Sequence, residues 1–99
     1  MEFLVSLEID PPAGTPSDVV ADRKAREAER VYELADQGHV VRLWRPPADS
    51  GEWRALGLWR ANDETELRAL VDSLPLSDWF TVSVTPLSPH PNDPARVAC

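Results

Sequence analysis

The sequence predicts an α+β fold in the order β-α-β-β-α-β, with two helices on one face of a four-stranded antiparallel sheet. Four segments alternate apolar and polar residues with the period of two that is typical of strands. Two other segments repeat their apolar residues with the period of a helix. The chain has 99 residues, which is the size of one small domain with a thin core, so we also expect it to form oligomers.

The first strand and the first helix have clear sequence boundaries. The strand is predicted over residues 2–10, with Phe3, Val5, Leu7 and Ile9 on one face and Leu4, Ser6 and Glu8 on the other. The helix is predicted to begin with Thr15 as N-cap and Pro16 as its first residue. It runs to about Gln37, and Gly38 ends it because glycine adopts a left-handed conformation at low cost.

The middle of the chain is predicted to form two neighbouring antiparallel strands over residues 39–45 and 53–60, joined by a loop over 48–52. Strict alternation gives both strands apolar residues on both faces: Val40 and Trp44 against Val41 and Leu43, and Trp53 and Trp59 against Leu56 and Leu58. Two helices cover only one face of such a sheet. We therefore expect the other face to pair with the sheet of a second copy, which also encloses a cavity.

A second helix is predicted from Asn62 or Asp63 as its cap to Pro75, with inward residues Leu67, Leu70, Val71 and Leu74. A fourth strand follows over residues 79–85. The order of elements is that of the ferredoxin-like sandwich. Residues 1–87 form the predicted domain, and residues 88–99 form an extended, proline-rich tail that ends in Cys99.

Composition excludes several classes of function. The formal net charge of −7 disfavours binding to nucleic acid or to an anionic membrane. A single cysteine excludes an internal disulfide and a cysteine-based metal cluster, and His39 and His90 lack the spacing of metal ligands, so no metal site is expected. No signal peptide or membrane-spanning run is visible, which favours a soluble, cytoplasmic protein.

The first helix carries the most informative anomaly. At 100° per residue, Lys24 and Glu27 fall in the middle of the apolar stripe that contains Val20, Val31 and Leu34. Burial raises the pKa of a carboxyl group, and a raised pKa suits a proton-transfer base. The alternative interpretation is an i,i+3 ion pair whose lysine stem packs on the core.

A second candidate feature is Leu43-Trp44-Arg45, because an arginine beside a tryptophan can bind a carboxylate against an aromatic wall. The alternative is a packed tryptophan beside an arginine at the sheet edge. His90 is a further candidate, since the tail could fold back over a cavity. Four tryptophans are many for this length, and we expect part of their area to face an interface between subunits or a pocket; they are Trp44, Trp53, Trp59 and Trp79.

Over nearly its whole length the chain resembles the muconolactone Δ-isomerase family. The resemblance rests on the order of several short segments: MEFLV, Lys24-Ala25-x-Glu27, Leu34-x-x-x-Gly38, Leu43-Trp44-Arg45, Leu74-Pro75-Leu76, Val84-Thr85-Pro86-Leu87 and His90-Pro91. It implies a ferredoxin-like subunit that pairs through its sheets, forming a dimer and further a decamer. It also implies a site completed by a neighbouring subunit.

The resemblance implies a cofactor-free isomerase that transposes a C=C bond, converting muconolactone to 3-oxoadipate enol-lactone in the β-ketoadipate pathway of aromatic compound catabolism. In that role Glu27 moves the proton and Lys24 lies near the oxyanion. Arg45 and His90 hold the substrate carboxylate, and Trp44 forms a wall. Arg42 and Trp79 are further candidate substrate-binding residues.

Some positions differ from the family's pattern. Val40-Val41 replaces a Trp-Arg pair, Ala55-Leu56 replaces an Asn-Tyr pair, and Pro89 stands where arginine precedes the His-Pro pair. With fewer polar groups expected at the site, two alternatives stay open. One is a tailoring isomerase, cyclase or cofactor-free oxygenase that acts on a larger aromatic or polyketide-like molecule. The other is a non-catalytic ligand-binding or assembly protein of the same fold.

Overall fold

The computed structural model describes residues 1–47 and 52–97. Its main elements are β1 (Glu2–Ile9), α1 (Ser17–Asp36), β2 (Val40–Trp44), β3 (Arg54–Arg60), α2 (Glu64–Asp72) and β4 (Phe80–Leu87). The strands form one antiparallel sheet in the order β2-β3-β1-β4, so the predicted βαββαβ arrangement is confirmed. Residues 48–51 of the predicted loop and Cys99 lie outside the described residues.

Alternation along β1 positions the hydrophobic core. Phe3 and Val5 are fully buried, and they pack with Leu34 of α1 and with Leu67 and Val71 of α2. Both helices therefore cover the same face of the sheet, as predicted. The core lies between this face and the two helices, and removal of apolar surface from water is the dominant favourable contribution to folding.

The two helices begin differently. In α2, the Asp63 side chain accepts a hydrogen bond from the Glu66 backbone N–H at 2.8 Å, so Asp63 is the N-cap of the two candidates. In α1, the prediction of Thr15 as N-cap is wrong, because Pro16 occupies that position. The Thr15 hydroxyl instead donates to the Pro12 carbonyl at 2.6 Å, within the turn that precedes the helix.

A bulge in β2 changes the predicted faces of that strand. The register shifts between Val40 and Arg42, after which Leu43 pairs with Gly57. Gly57 belongs to the helix-covered face because it also pairs with the buried Val5 of β1. Leu43 therefore lies on the same face as Val40, and the expectation that strict alternation separates them is wrong, since a bulge adds one residue to the count.

The tail is not extended throughout. β4 continues to Leu87, and the Asp93 backbone N–H then donates to the His90 carbonyl at 2.9 Å in a turn. One 3-10 turn follows over Pro94–Val97. Within the described ranges, no helix has the length and apolar character needed to cross a membrane.

Candidate active site

An open cavity of about 960 Å³ lies beside α1, on the helix-covered face of the sheet. Its charged lining residues are Lys24, Glu27, Arg45, Glu52 and Arg54. Its larger apolar lining residues are Leu7, Ile9, Val31, Leu43, Trp53, Leu76 and Phe80. A few charged groups in a mostly apolar concavity are the usual composition of a small-molecule site.

Glu27 is the carboxylate that α1 presents to this cavity. It is partly buried, and burial raises the pKa of its carboxyl group above the ordinary value of 4.5. The Leu76 backbone N–H donates to Glu27 Oε1 at 3.1 Å, and this hydrogen bond opposes part of the rise. The carboxylate is therefore held in place by a neutral peptide group rather than by a cation.

Lys24 lies one turn before Glu27 but has a different partner. Its Nζ is 4.5 Å from the centroid of the Trp53 ring, which is within the range of a cation–π interaction. Among the described residues, no ion pair within 4.0 Å joins Lys24 to Glu27. The alternative interpretation of these two residues as an i,i+3 ion pair is therefore wrong.

Two arginines reach the cavity from the sheet. Arg45 follows the last residue of β2, and it lines the cavity next to Pro46 and Pro47. Arg54 begins β3, but its guanidinium is already engaged: Nε lies 2.9 Å from Glu52 and Nη2 lies 3.7 Å from Glu8. Arg45 is therefore the better placed of the two to receive an anionic substrate group.

The other predicted site residues lie elsewhere. Arg42 and Trp44 are on the sheet face opposite the helices, with the guanidinium 5.1 Å from the ring centroid. Trp79 is buried beneath Arg23, and His90 is exposed in the turn after β4. The described lining of the cavity includes none of Arg42, Trp44, Trp79 and His90, and their substrate-binding role stays a prediction.

Sequence reasoning did not single out Trp53 as a wall of the site, although a signal was present. Trp53 and Trp59 are six residues apart, and residues an even number apart in a strand share a face. Trp59 is only 2% exposed and lies on the helix-covered face. Extending this alternation to the residue before β3 therefore predicts that Trp53 faces α1. Tyr32, which is 72% exposed, also lines the cavity.

Within residues 1–47 and 52–97, no group of three or more His, Cys, Asp and Glu side chains is arranged to hold a metal ion.

Comparison with known proteins gives concordant matches. A family model described as muconolactone delta-isomerase matches residues 1–93. Muconolactone Delta-isomerase from Cupriavidus pinatubonensis is 30% identical over 92 residues, which cover 93% of this chain and 97% of that protein.

Two solved structures are similar in fold. A crystal structure of muconolactone isomerase matches with a TM-score of 0.80 and 24% identity over 93% of each chain. The 5-chloro-2-hydroxyhydroquinone dehydrochlorinase of Burkholderia phenoliruptrix AC1100, in complex with 2,5-dihydroxybenzoquinone, matches with a TM-score of 0.67 and 16% identity over 89% of this chain and 94% of that one.

Proposed function

This chain belongs to the muconolactone Δ-isomerase family, and from that premise we propose that it catalyses a cofactor-free 1,3-proton shift on a small unsaturated lactone. The nominal substrate is muconolactone, and the product is 3-oxoadipate enol-lactone. The observation that carries the proposal is the partly buried Glu27, whose carboxyl group has a raised pKa and lines a largely apolar cavity. A carboxyl group with a pKa moved toward neutrality is suited to accept and return a proton.

The proposed reaction needs one base and conserves every atom. The Glu27 carboxylate removes the proton from the γ-carbon of the conjugated lactone, and the C–H electron pair moves through the C=C bond onto the carbonyl oxygen. This forms a dienolate and a neutral Glu27. The carboxylic acid then returns a proton to the α-carbon, so the C=C bond moves from the α,β to the β,γ position.

Two cations support this chemistry in the proposal. Lys24 stabilises the dienolate oxygen, since a fixed positive charge is most effective where negative charge develops. The Trp53 ring restrains the lysine ammonium without neutralising it, because a cation–π contact brings no counter-charge. Arg45 binds the substrate carboxylate, for which its planar guanidinium offers two parallel hydrogen bonds.

The reaction is tested by adding muconolactone to the protein in heavy water and following the products by proton NMR. We expect enol-lactone formation, and we expect Glu27→Gln to lower turnover by about 10²–10⁴-fold, the usual contribution of a general base. The matched control is Glu29→Gln, which makes the same change at an exposed position of the same helix. Full turnover by Glu27→Gln would refute the role of Glu27.

A larger aromatic or polyketide-like substrate is the second candidate, and the size of the cavity favours it. The cavity is open on one side, and its volume of about 960 Å³ in a single chain leaves room for a substrate larger than a small lactone. The test is to compare kcat/KM for muconolactone with that for bicyclic hydroxyaromatic lactones, while quenching of tryptophan emission reports binding. Binding without conversion of any lactone would favour the non-catalytic ligand-binding alternative.

We also propose that the functional unit is an oligomer built by pairing of sheets. The uncovered face exposes Trp44 at 41% and carries Leu4, Leu56 and Leu58, which are only partly buried within one chain. A second copy would cover these residues and could bring Arg42, Trp44 or His90 to a neighbour's site. Sedimentation of the wild type and of Leu58→Glu tests this, and a monomeric wild type would contradict it.

A cytoplasmic role in aromatic compound catabolism, within the β-ketoadipate pathway, is part of the same proposal. Its support is the family's named reaction, whose product is a keto-acid enol-lactone that a hydrolase can open. Neighbouring genes for catechol cleavage would favour this role. Genes for polyketide assembly in that position would favour the larger substrate instead.

A further inference from the structure

One peptide bond, between Pro75 and Leu76, is held from both sides by α1. The Arg23 guanidinium donates from Nη1 to the Pro75 carbonyl oxygen at 3.2 Å. The Leu76 N–H of the same peptide group donates to Glu27 Oε1 at 3.1 Å. Arg23 and Glu27 are four residues apart, so they lie on the same side of the helix, one turn from each other.

This arrangement links a cation to the carboxylate through a neutral group. A cation at the carbonyl oxygen draws electron density toward that oxygen and makes the N–H of the same peptide a stronger donor. Hydrogen bonds in such a chain polarise one another. A stronger bond from Leu76 favours the ionised form of Glu27, because only the charged carboxylate gains fully from an additional donor.

Arg23 is itself held by the segment that it contacts. Its guanidinium carbon lies 4.6 Å from the centroid of the buried Trp79 ring, and Nη1 lies 3.4 Å from Asp78 Oδ2. The side chain is 29% exposed, so much of it is removed from water. These contacts, together with the bond to Pro75, fix the guanidinium at the far end of the peptide from Glu27.

We propose that Arg23 is a positioning residue for the proton-transfer step, acting on Glu27 through the Pro75–Leu76 peptide. The peptide fixes Glu27 Oε1, and among the described residues Oε2 has no hydrogen-bond partner, so it is the oxygen that moves the proton. Loss of Arg23 weakens the Leu76 bond, which raises the pKa of Glu27 and loosens its orientation. The inference rests on the proposed function for its catalytic meaning, but the coupling between these groups is measurable without substrate.

Other charged or titratable groups also face Glu27, and the test must separate their effects. They are Lys24 and Tyr32 of α1, Arg45 after β2, Glu52 and Arg54 at the start of β3, and Asp78 next to Arg23. The five cavity residues keep their partners when Arg23 is replaced, whereas Asp78 loses its ion-pair partner. The control for a general loss of positive charge is Arg26→Gln, on the same helix, where Arg26 is exposed and pairs with Asp22 at 2.6 Å.

The direct measurement is a carbon-13 NMR titration of protein with labelled glutamate carboxyl groups, in which the Glu27 signal is assigned by its loss in Glu27→Gln. We expect Arg23→Gln to raise the pKa of Glu27 by more than Arg26→Gln does. Arg23→Lys keeps the charge but not the planar group, and we expect an intermediate rise. If Arg23→Gln does not fold, the same inference is tested by comparing the Glu27 pKa of Arg23→Lys with that of Arg26→Lys.

Kinetics then test the catalytic meaning. The acid limb of the kcat/KM profile of Arg23→Gln should move to higher pH by the same amount as the NMR titration, and each unit of movement lowers kcat/KM on the acid side about tenfold. An unchanged Glu27 titration overturns the inference, whether or not the wild type turns over a lactone. If the Glu27 pKa moves but the wild type converts no lactone, the proposed function fails while the coupling stands.

Discussion

Gly57 is a position in the sheet where the effect of one added methyl group on stability can be worked out from the structure. A Cβ placed there would lie 2.7 Å from Trp59 Nε1, 3.0 Å from Trp59 Cδ1 and 2.8 Å from Leu43 Cδ2. Leu43 is 47% exposed and lines the cavity, so it can rotate away. Trp59 is only 2% exposed and packs within the core, so it cannot. The contact with Trp59 therefore decides the outcome of Gly57→Ala.

Two opposing terms set the magnitude of this change. Inserting a methyl group into a packed core costs about 1–3 kcal/mol. Replacing a strand glycine by alanine recovers about 0.5–1 kcal/mol, because the unfolded chain then has less conformational freedom to lose. Because the Cβ would lie only 2.7 Å from the buried Trp59 ring, the packing term falls in the upper part of its range, about 2–3 kcal/mol, and after a recovery of about 1 kcal/mol we expect Gly57→Ala to lower the free energy of unfolding by about 1–2 kcal/mol. For a domain of this size that corresponds to a decrease in Tm of about 4–16 °C.

The assay is thermal and urea unfolding followed by circular dichroism, at one protein concentration because association changes the apparent stability. A double-mutant cycle with Trp59→Phe, which removes Nε1, isolates the contact. Gly57→Ala should cost less when it is combined with Trp59→Phe than in the wild type, with a coupling energy beyond the roughly 0.5 kcal/mol expected for independent sites. Additive costs, or a Gly57→Ala variant more stable than the wild type, would refute the reasoning.

Three further predictions concern the helices and the site. Since burial raises the pKa of Glu27 above 4.5, its ionisation in the fold costs stability. The free energy of unfolding of the wild type, relative to that of Glu27→Gln, should therefore fall as pH rises from about 4.5 through the folded-state pKa. Urea unfolding measures both values, and a difference between them that does not change with pH would contradict this. Lys24→Met should show a coupling of about 0.5–1 kcal/mol with Trp53→Leu in a double-mutant cycle, and a coupling near zero would mean that the cation–π contact contributes nothing to stability. Asp63→Ala should lower the free energy of unfolding by about 1 kcal/mol, because it leaves the Glu66 N–H without its capping acceptor. Asp63→Asn keeps an acceptor and should retain most of that stability. Equal losses in the two variants would argue against capping.

Local sequence patterns predicted the fold correctly where a single preference, such as strand alternation, determines the structure of a segment. The alternation of β1 placed Phe3 and Val5 on one face because a period of two has only two faces, and in the structure that face is the buried one. The start of α1 was predicted one residue early, because Thr15 had a competing partner in the Pro12 carbonyl. The faces of β2 were predicted incorrectly beyond Val40, since a bulge leaves no reliable mark in a sequence of five strand residues.

The candidate site could be predicted where a short segment of the sequence carries the signal. The spacing of Lys24 and Glu27 places them on one face of α1, and the structure brings Arg45 to the same cavity. Trp53 could not be assigned to the site from its own segment, because its contact with Lys24 depends on how α1 lies across the start of β3. The contact of Arg23 with Pro75 spans 52 residues and is likewise a product of tertiary packing.

The absence of an ion pair between Lys24 and Glu27, within the part of the chain that the structure describes, has a chemical consequence. A direct ion pair would lower the pKa of the carboxyl group and occupy both charges before any substrate arrived. Instead the Leu76 N–H holds Glu27 and the Trp53 ring holds Lys24, and neither partner carries a formal charge. A base and a cation thus face one cavity without neutralising each other. A proton transfer with a charged dienolate intermediate needs that separation, because the cation must act on the substrate oxygen while the carboxyl group changes its protonation state.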